Sequence, residues 1–236
     1  MVAGEFLVTN RMNSRAHWVL GRALGYAIIY AVCCALVFAL PARAVESSEA
    51  SGPLKLVPEP KEVRLRAGGF RVGPATRILV EFGHQDEDRI AAETLAEEIA
   101  DESGMQLDIV GVKATSKTER SSIVLARLQD LSVRKFLAAR GLKSDESIGE
   151  QGYLLFADKS HLVVAANSGM GLFYGVQTLR QLLHSDGKAL ICPAVAIRDW
   201  PGLERRGVQG DLSRGPTSPQ GFVKQQARLA EFKASL

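Results

Sequence analysis

Cysteine is scarce in this sequence of 236 residues, and the positions of the three decide what they can do. Cys33 and Cys34 lie in an apolar stretch near the N-terminus, which leaves Cys192 alone in the remainder. One thiol forms no internal disulfide, so a disulfide scaffold is excluded. With no Cys or His at ligand spacing around it, Cys192 reads as a small buried apolar residue. Histidine is equally thin: His84, His161 and His184 stand apart, with neither HExxH nor an i, i+4 pair, and no zinc site is expected. There is no GxSxG elbow, no internal repeat and no low-complexity tract.

A charge excess is also missing. The formal net charge of +3 belongs to the first 44 residues, which hold four arginines and one acid; 25 basic and 25 acidic side chains remain after them. No basic run interleaved with aromatics suggests a strand-binding groove, and no nucleic-acid partner is expected.

What is present begins with a leader. Arg11, Arg15 and Arg22 precede the uncharged run "ALGYAIIYAVCCALVFAL" (23–40), which closes on Pro41-Ala42-Arg43-Ala44. Small residues at Ala42 and Ala44 fit a signal-peptidase site, so residues 1–44 are expected to be a signal peptide cleaved before Val45, with export to a periplasmic or extracellular space and no membrane contact afterwards. The competing reading is an uncleaved membrane anchor, since 18 apolar residues approach the ~20 that span a bilayer. Met12 offers a second start besides Met1. Residues 45–53, "VESSEASGP", read as a flexible lead-in.

Residues 54–200 pattern as one α+β domain, with a mostly antiparallel sheet covered by helices. Pro58, Pro60 and a Gly68-Gly69 turn suggest short edge strands at its start. "TRILVEF" (76–82), "LDIVGV" (107–112) and "SSIVLARL" (121–128) read as strands. Between the first two, residues 85–104 form an amphipathic helix with Ile90, Leu95 and Ile99 inward and Gly104 as its stop; its acids are expected on the solvated face. A short helix, "SVRKFLAARG", stops at Gly141. "GYLLFAD" and "HLVVAAN" make a hairpin around Lys159-Ser160, "SGMGLFYGVQTLRQLLHSDG" a long helix, and "ALICPAVAIRDWP" a closing strand. Gly169, Gly171 and Gly175 follow a strand and open a helix, as a dinucleotide loop would. Their spacing is too long for GxGxxG and no ribose-binding acid follows, so no cofactor is expected and the glycines are read as close helix-to-sheet contacts.

Three stretches in this order resemble glycoside hydrolase family 20, the β-N-acetylhexosaminidases: "GYLLFADKSHLVVAANSGMGLFYGVQTLRQLL" (152–183), "PAVAIRDWPGLERRGV" (193–208), and "RGVQGDLSRG" followed by "FVKQQARLAEFK". The resemblance implies a zincin-like N-terminal domain, a name for a topology that carries no metal, over 54–200. It also implies the first βα unit of a (β/α)8, or TIM, barrel over 201–236, left incomplete. It implies an N-acetylhexosamine-containing glycan as substrate and a retaining mechanism assisted by the substrate's acetamido group. Arg214 matches the family arginine that binds hydroxyls of the non-reducing sugar, a task suited to its fork of donors. Asp211 would orient that arginine or its loop. The other reading has both residues fastening a strand-to-helix turn.

The family's adjacent Asp-Glu pair follows the fourth barrel strand, and this sequence ends at "EFKASL" (231–236). The expectation is a truncated chain that is inactive alone, with residues 203–236 poorly ordered or docked on the preceding domain. No catalytic residue is assigned: Asp86-Glu87, Asp101-Glu102 and Asp145-Glu146 are expected to be solvated charge on or beside helices. The alternative is a non-catalytic module that binds glycan or assembles with another chain.

Overall fold

The structure, a computed structural model, describes residues 54–81, 83–113, 121–187, 189–207 and 218–234. The leader and the lead-in lie outside these residues. Among the described residues eight strands form one sheet: β1 (Glu62–Val72), β2 (Ile78–Glu81), β3 (Ile109–Val112), β4 (Ile123–Arg127), β5 (Tyr153–Ala157), β6 (Leu162–Ala166), β7 (His184–Ser185) and β8 (Leu190–Asp199). The α-helices among the described residues are α1 (Gln85–Ser103), α2 (Leu131–Ala138), α3 (Gly169–Leu182) and α4 (Pro219–Glu231).

The spatial order is β1-β8-β5-β6-β4-β2-β3, with the two-residue β7 beside β8. Four of the seven pairings are antiparallel and three, β2 with β3, β2 with β4, and β4 with β6, are parallel. The α+β class stands, with a sheet that is antiparallel in most of its pairings and parallel where β2, β3, β4 and β6 meet. The parallel half arises because β2 returns to its neighbour β3 through α1, a crossover that only parallel strands need. Its central strands β4 and β6 are buried at every position, as strands covered on both faces must be.

Both faces carry a core. On one, Ile78, Ile123, Leu155 and Val164 meet Leu95 and Ile99 of α1 and Leu172, Val176 and Leu179 of α3. On the other, Leu79, Val124, Leu154 and Phe156 meet Val133 and Leu137 of α2. Each fully buried side chain of this kind contributes about 1.5–3 kcal/mol before chain entropy is counted.

Two local expectations change. The Gly68-Gly69 pair does not turn the chain between two short strands: β1 runs through it as one edge strand of 11 residues, with a register shift between Leu65 and Gly69. Gly68 has φ +93°, which a glycine adopts freely, so the pair bends the strand as a bulge. Helix α1 buries Asp88, Ala91, Ala92, Leu95 and Ile99, whereas Ile90 is 63% exposed. The small alanines let α1 lie close to the sheet, which rotates Ile90 outward.

The glycines of α3 act as close contacts. A Cβ on Gly175 would stand 2.4 Å from Val164 Cγ1, and one on Gly171 would stand 2.5 Å from the Gly152 carbonyl oxygen. Ser168 caps this helix by accepting from Gly171 N. Cys192 is buried, and burial pushes its thiol far up, as an inert apolar residue requires.

Candidate functional site: the Asp-Trp-Pro junction

Strand β8 delivers Arg198 and Asp199 to its end, and the strand's alternation sends them to opposite faces of the sheet. Each becomes the hub of a polar network.

Asp199 faces the α3 side. Its Oδ1 accepts from Lys61 N at 3.1 Å; its Oδ2 accepts from the Tyr153 hydroxyl at 3.0 Å and from Lys233 Nζ at 2.8 Å. Tyr153 stands directly opposite Asp199 in the β5–β8 register, and its oxygen also meets Thr178 Oγ1 of α3 at 2.6 Å and Lys233 Nζ at 2.9 Å. Burial, and then the Asp199 charge, push the Tyr153 phenol well above its ordinary range, so it stays protonated and donates to the carboxylate. Burial pulls the Lys233 ammonium below its ordinary value, against the Asp199 charge that supports it; Arg206 adds a smaller repulsion.

Lys233 reaches this site from the far side of α4. The helix ends with Lys233 N–H donating to Ala230 O and Ala234 N–H donating to Leu229 O, the paired bonds of a Schellman end. Glycine usually fills the left-handed position of that ending, yet Lys233 holds it at φ +55°. The backbone strain is tolerated because the side chain it aims is buried and paired. Arg206 Nε donates to Lys233 O at 2.9 Å and its guanidinium lies 5.4 Å from the Tyr174 ring centre, while Gln151 Nε2 donates to Glu204 O at 2.9 Å. The chain after Trp200 and the end of α4 are thus fastened to β5 and α3.

Arg198 faces the α2 side. It donates to Glu62, Asp145, Ser147 Oγ and the Lys143 carbonyl, and its guanidinium lies 4.4 Å from the Trp200 ring centre. Asp145 is exposed beside a helix, as expected, and also serves this hub; Ser147 and Arg198 hold its carboxyl below the usual range. Asp86 and Glu87 are exposed as expected, whereas their neighbour Asp88 departs from the solvated face expected of the acids of α1: Arg127 at the end of β4 grips Asp88 through two bonds of 3.0 and 2.7 Å and Glu87 through one of 2.7 Å. Arg127 and Asp88 are both buried. Burial opposes the Arg127 charge, and the two carboxylates outweigh it.

The cleft beside Asp199, bordered by Pro58, Lys61, Trp200 and Arg206, encloses about 160 Å³. Small-molecule sites usually offer ~300–1,000 Å³, so this cleft is a seam between elements rather than a sugar pocket. Asp211 and Arg214 lie outside the described residues, and so does Val208–Arg214 as a whole. Tyr153, Thr178, Asp199 and Lys233, which the structure does bring together, were not singled out in the sequence. The lysine at a helix end where glycine is usual was the one available signal. Among the described residues no three Cys, His, Asp or Glu side chains gather in a metal-holding group, and no helix is long and apolar enough to cross a membrane.

Fold and junction define an α+β domain tied through Asp199 and Lys233 to the helix that follows it. The family model for glycosyl hydrolase family 20, domain 2, matches residues 54–200, and the chain belongs to that family. It is similar to a beta-hexosaminidase from Porphyromonas gingivalis, 24% identical over 212 residues, covering 86% of this chain and 25% of that protein. A second beta-hexosaminidase, from Vibrio furnissii, is 33% identical over 73 residues, 31% of this chain and 12% of the other. Among solved structures, the family 20 beta-N-acetylhexosaminidase from Streptomyces coelicolor A3(2) superposes with a TM-score of 0.59 at 25% identity, covering 76% of this chain and 33% of its own. The chain thus spans about a quarter to a third of the length of relatives that match most of it.

Proposed function

We propose that this chain supplies the N-terminal domain of an exported β-N-acetylhexosaminidase, an enzyme that removes terminal N-acetylhexosamine from glycans with retention. Residues 201–236 begin its barrel, with α4 as the first barrel helix. Arg214 grips sugar hydroxyls and Asp211 orients it. The domain's own part is mechanical: it anchors the start of the barrel. The observation that carries this reading is the Asp199–Lys233 lock, which ties α4 to the domain matched by the family model. The 236 residues are not expected to turn over by themselves: a larger hollow among the described residues, about 400 Å³ beside α1, is bordered by Asp86 and by Glu93, and Glu93 is paired with Arg89.

The test is release of nitrophenol from the 4-nitrophenyl N-acetyl-β-glucosaminide. The chain alone is expected to release none. A chimera in which residues 54–200 replace the matching domain of the Porphyromonas gingivalis relative is expected to hydrolyse it, and an insoluble or inactive chimera would count against the reading. The assembly alternative has one observation in its favour: Phe222 and Val223 of α4 are 43% and 66% exposed.

A further inference from the structure

On the α2 side of the sheet, three guanidiniums converge on one edge. Arg64 and Arg66 of β1 point across to the loop that ends α2, where Arg64 Nη1 donates to Gly141 O at 3.2 Å and Arg66 Nη2 to Arg140 O at 2.7 Å. Arg140 lies with its guanidinium 3.5 Å from the Phe136 ring centre and donates Nη1 to Phe136 O at 3.1 Å. Arg140 and Arg66 also flank Phe156, at 5.2 and 5.4 Å. The stem of Lys159 crosses the same strand at Gly68, close enough that a Cβ there would be 2.9 Å from Lys159 Cε.

These cations are hydrogen-bonded to carbonyls and stacked on rings, with only longer-range support from acids, Asp158 for Arg140 and Glu62 for Arg64. Among the described residues neither Arg66 nor Arg140 forms an ion pair, and Arg64 reaches Glu62 only at 4.0 Å. The nearby acids are occupied: Glu62 accepts from Arg198, and Asp158 accepts Ser160 N, His161 N and His161 Nδ1. Burial lowers the stability of the Arg140 charge, Asp158 partly offsets this, and the neighbouring Arg66 adds a smaller repulsion.

Capping the end of α2 needs one or two donors, and a guanidinium has five, so most of the N–H groups remain unused. Their fixed, forked arrangement suits a carboxylate gripped in bidentate fashion. We propose that this arginine edge, Arg64, Arg66 and Arg140 with Lys159, binds a carboxylate-bearing glycan and holds acidic polysaccharide against the domain. The inference rests on the hydrolase reading for its choice of a glycan over other polyanions.

The test is affinity electrophoresis of the full chain through gels containing polygalacturonate, neutral dextran or double-stranded DNA. Polygalacturonate is expected to retard the chain strongly, and dextran not at all. The double variant Arg66→Glu, Lys159→Glu should weaken the apparent affinity by about tenfold or more with an unchanged circular-dichroism spectrum. Arg66→Lys, which keeps the charge and loses the fork, should fall between. Equal retardation of the double variant, or of the wild type by dextran, overturns the proposal; equal retardation by DNA overturns its commitment to glycan. If the double variant misfolds, the wild type's ranking of the three polymers decides. Loss of this binding alongside an active chimera sinks only the inference, and binding alongside an inactive chimera sinks only the hydrolase reading.

Discussion

At the residue scale, Lys233 carries more than its position in the sequence suggests. Replacing it with Met leaves the buried Asp199 carboxylate facing Tyr153 and the Lys61 N–H without its ammonium partner, and breaking a buried pair of this kind costs about 3–5 kcal/mol. Lys233→Gly should cost about 1 kcal/mol less than Lys233→Ala, because glycine relaxes the φ +55° backbone that alanine keeps strained. Chemical denaturation of both variants checks the difference; alanine matching or exceeding glycine contradicts the strain. Asp158 gives a pH prediction. Burial works against its charge, and the N–H groups of Ser160 and His161 outweigh that and hold its carboxyl below the ordinary 3.8. A depressed folded value means stability present above pH ~4 and lost as pH falls through the folded value. The urea midpoint of the wild type should therefore exceed that of Asp158→Ala at pH 7 and converge on it at acid pH. None of this was legible residue by residue, since burial of an Asp, a Tyr and a Lys together depends on three elements far apart in sequence.

At the element scale, helices were easier to read than strand partners. The acids of the first turn and Gly104 mark both ends of α1, where Gly104 N–H donates to Ala100 O in a left-handed cap. What the pattern missed was the helix's rotation, because the bulky Ile90 drew the apolar stripe away from Ala91 and Ala92. The hairpin of β5 and β6 was readable from its short turn. The parallel pairing of β2, β4 and β6 was not, because it joins segments more than 30 residues apart; "SSIVLARL", apolar without alternation, was the available hint of a strand buried on both faces. Two substitutions test the packing. Gly175→Ala must push its methyl into Val164 and should cost about 1–3 kcal/mol, whereas Met170→Ala on the exposed side of the same helix should change the melting temperature little. Arg127→Met, which leaves Asp88 buried without its partner, should cost about 3–5 kcal/mol by urea denaturation. A near-neutral result would mean that water reaches Asp88.

At the scale of the whole molecule, the mixed sheet serves as a platform whose last strand ends in two oppositely directed anchors. The Arg198 hub ties the Trp200 turn to the α2 side, and the Asp199 hub ties α4 to the α3 side. The sequence pointed to the Asp-Trp-Pro stretch as a junction through family resemblance, and the reading that residues beyond it dock on the preceding domain holds for Arg206 and Lys233. The expected sugar-binding pair, Asp211 and Arg214, belongs to a stretch outside the described residues. The central claim is that Lys233 locks α4 to the domain. Hydrogen exchange read by mass spectrometry on the wild type and Lys233→Met tests it most directly. The account predicts protected amides over residues 222–231 in the wild type, lost in the variant while β5, β6 and β8 stay protected; equal protection of α4 in both proteins, or none in the wild type, would contradict it.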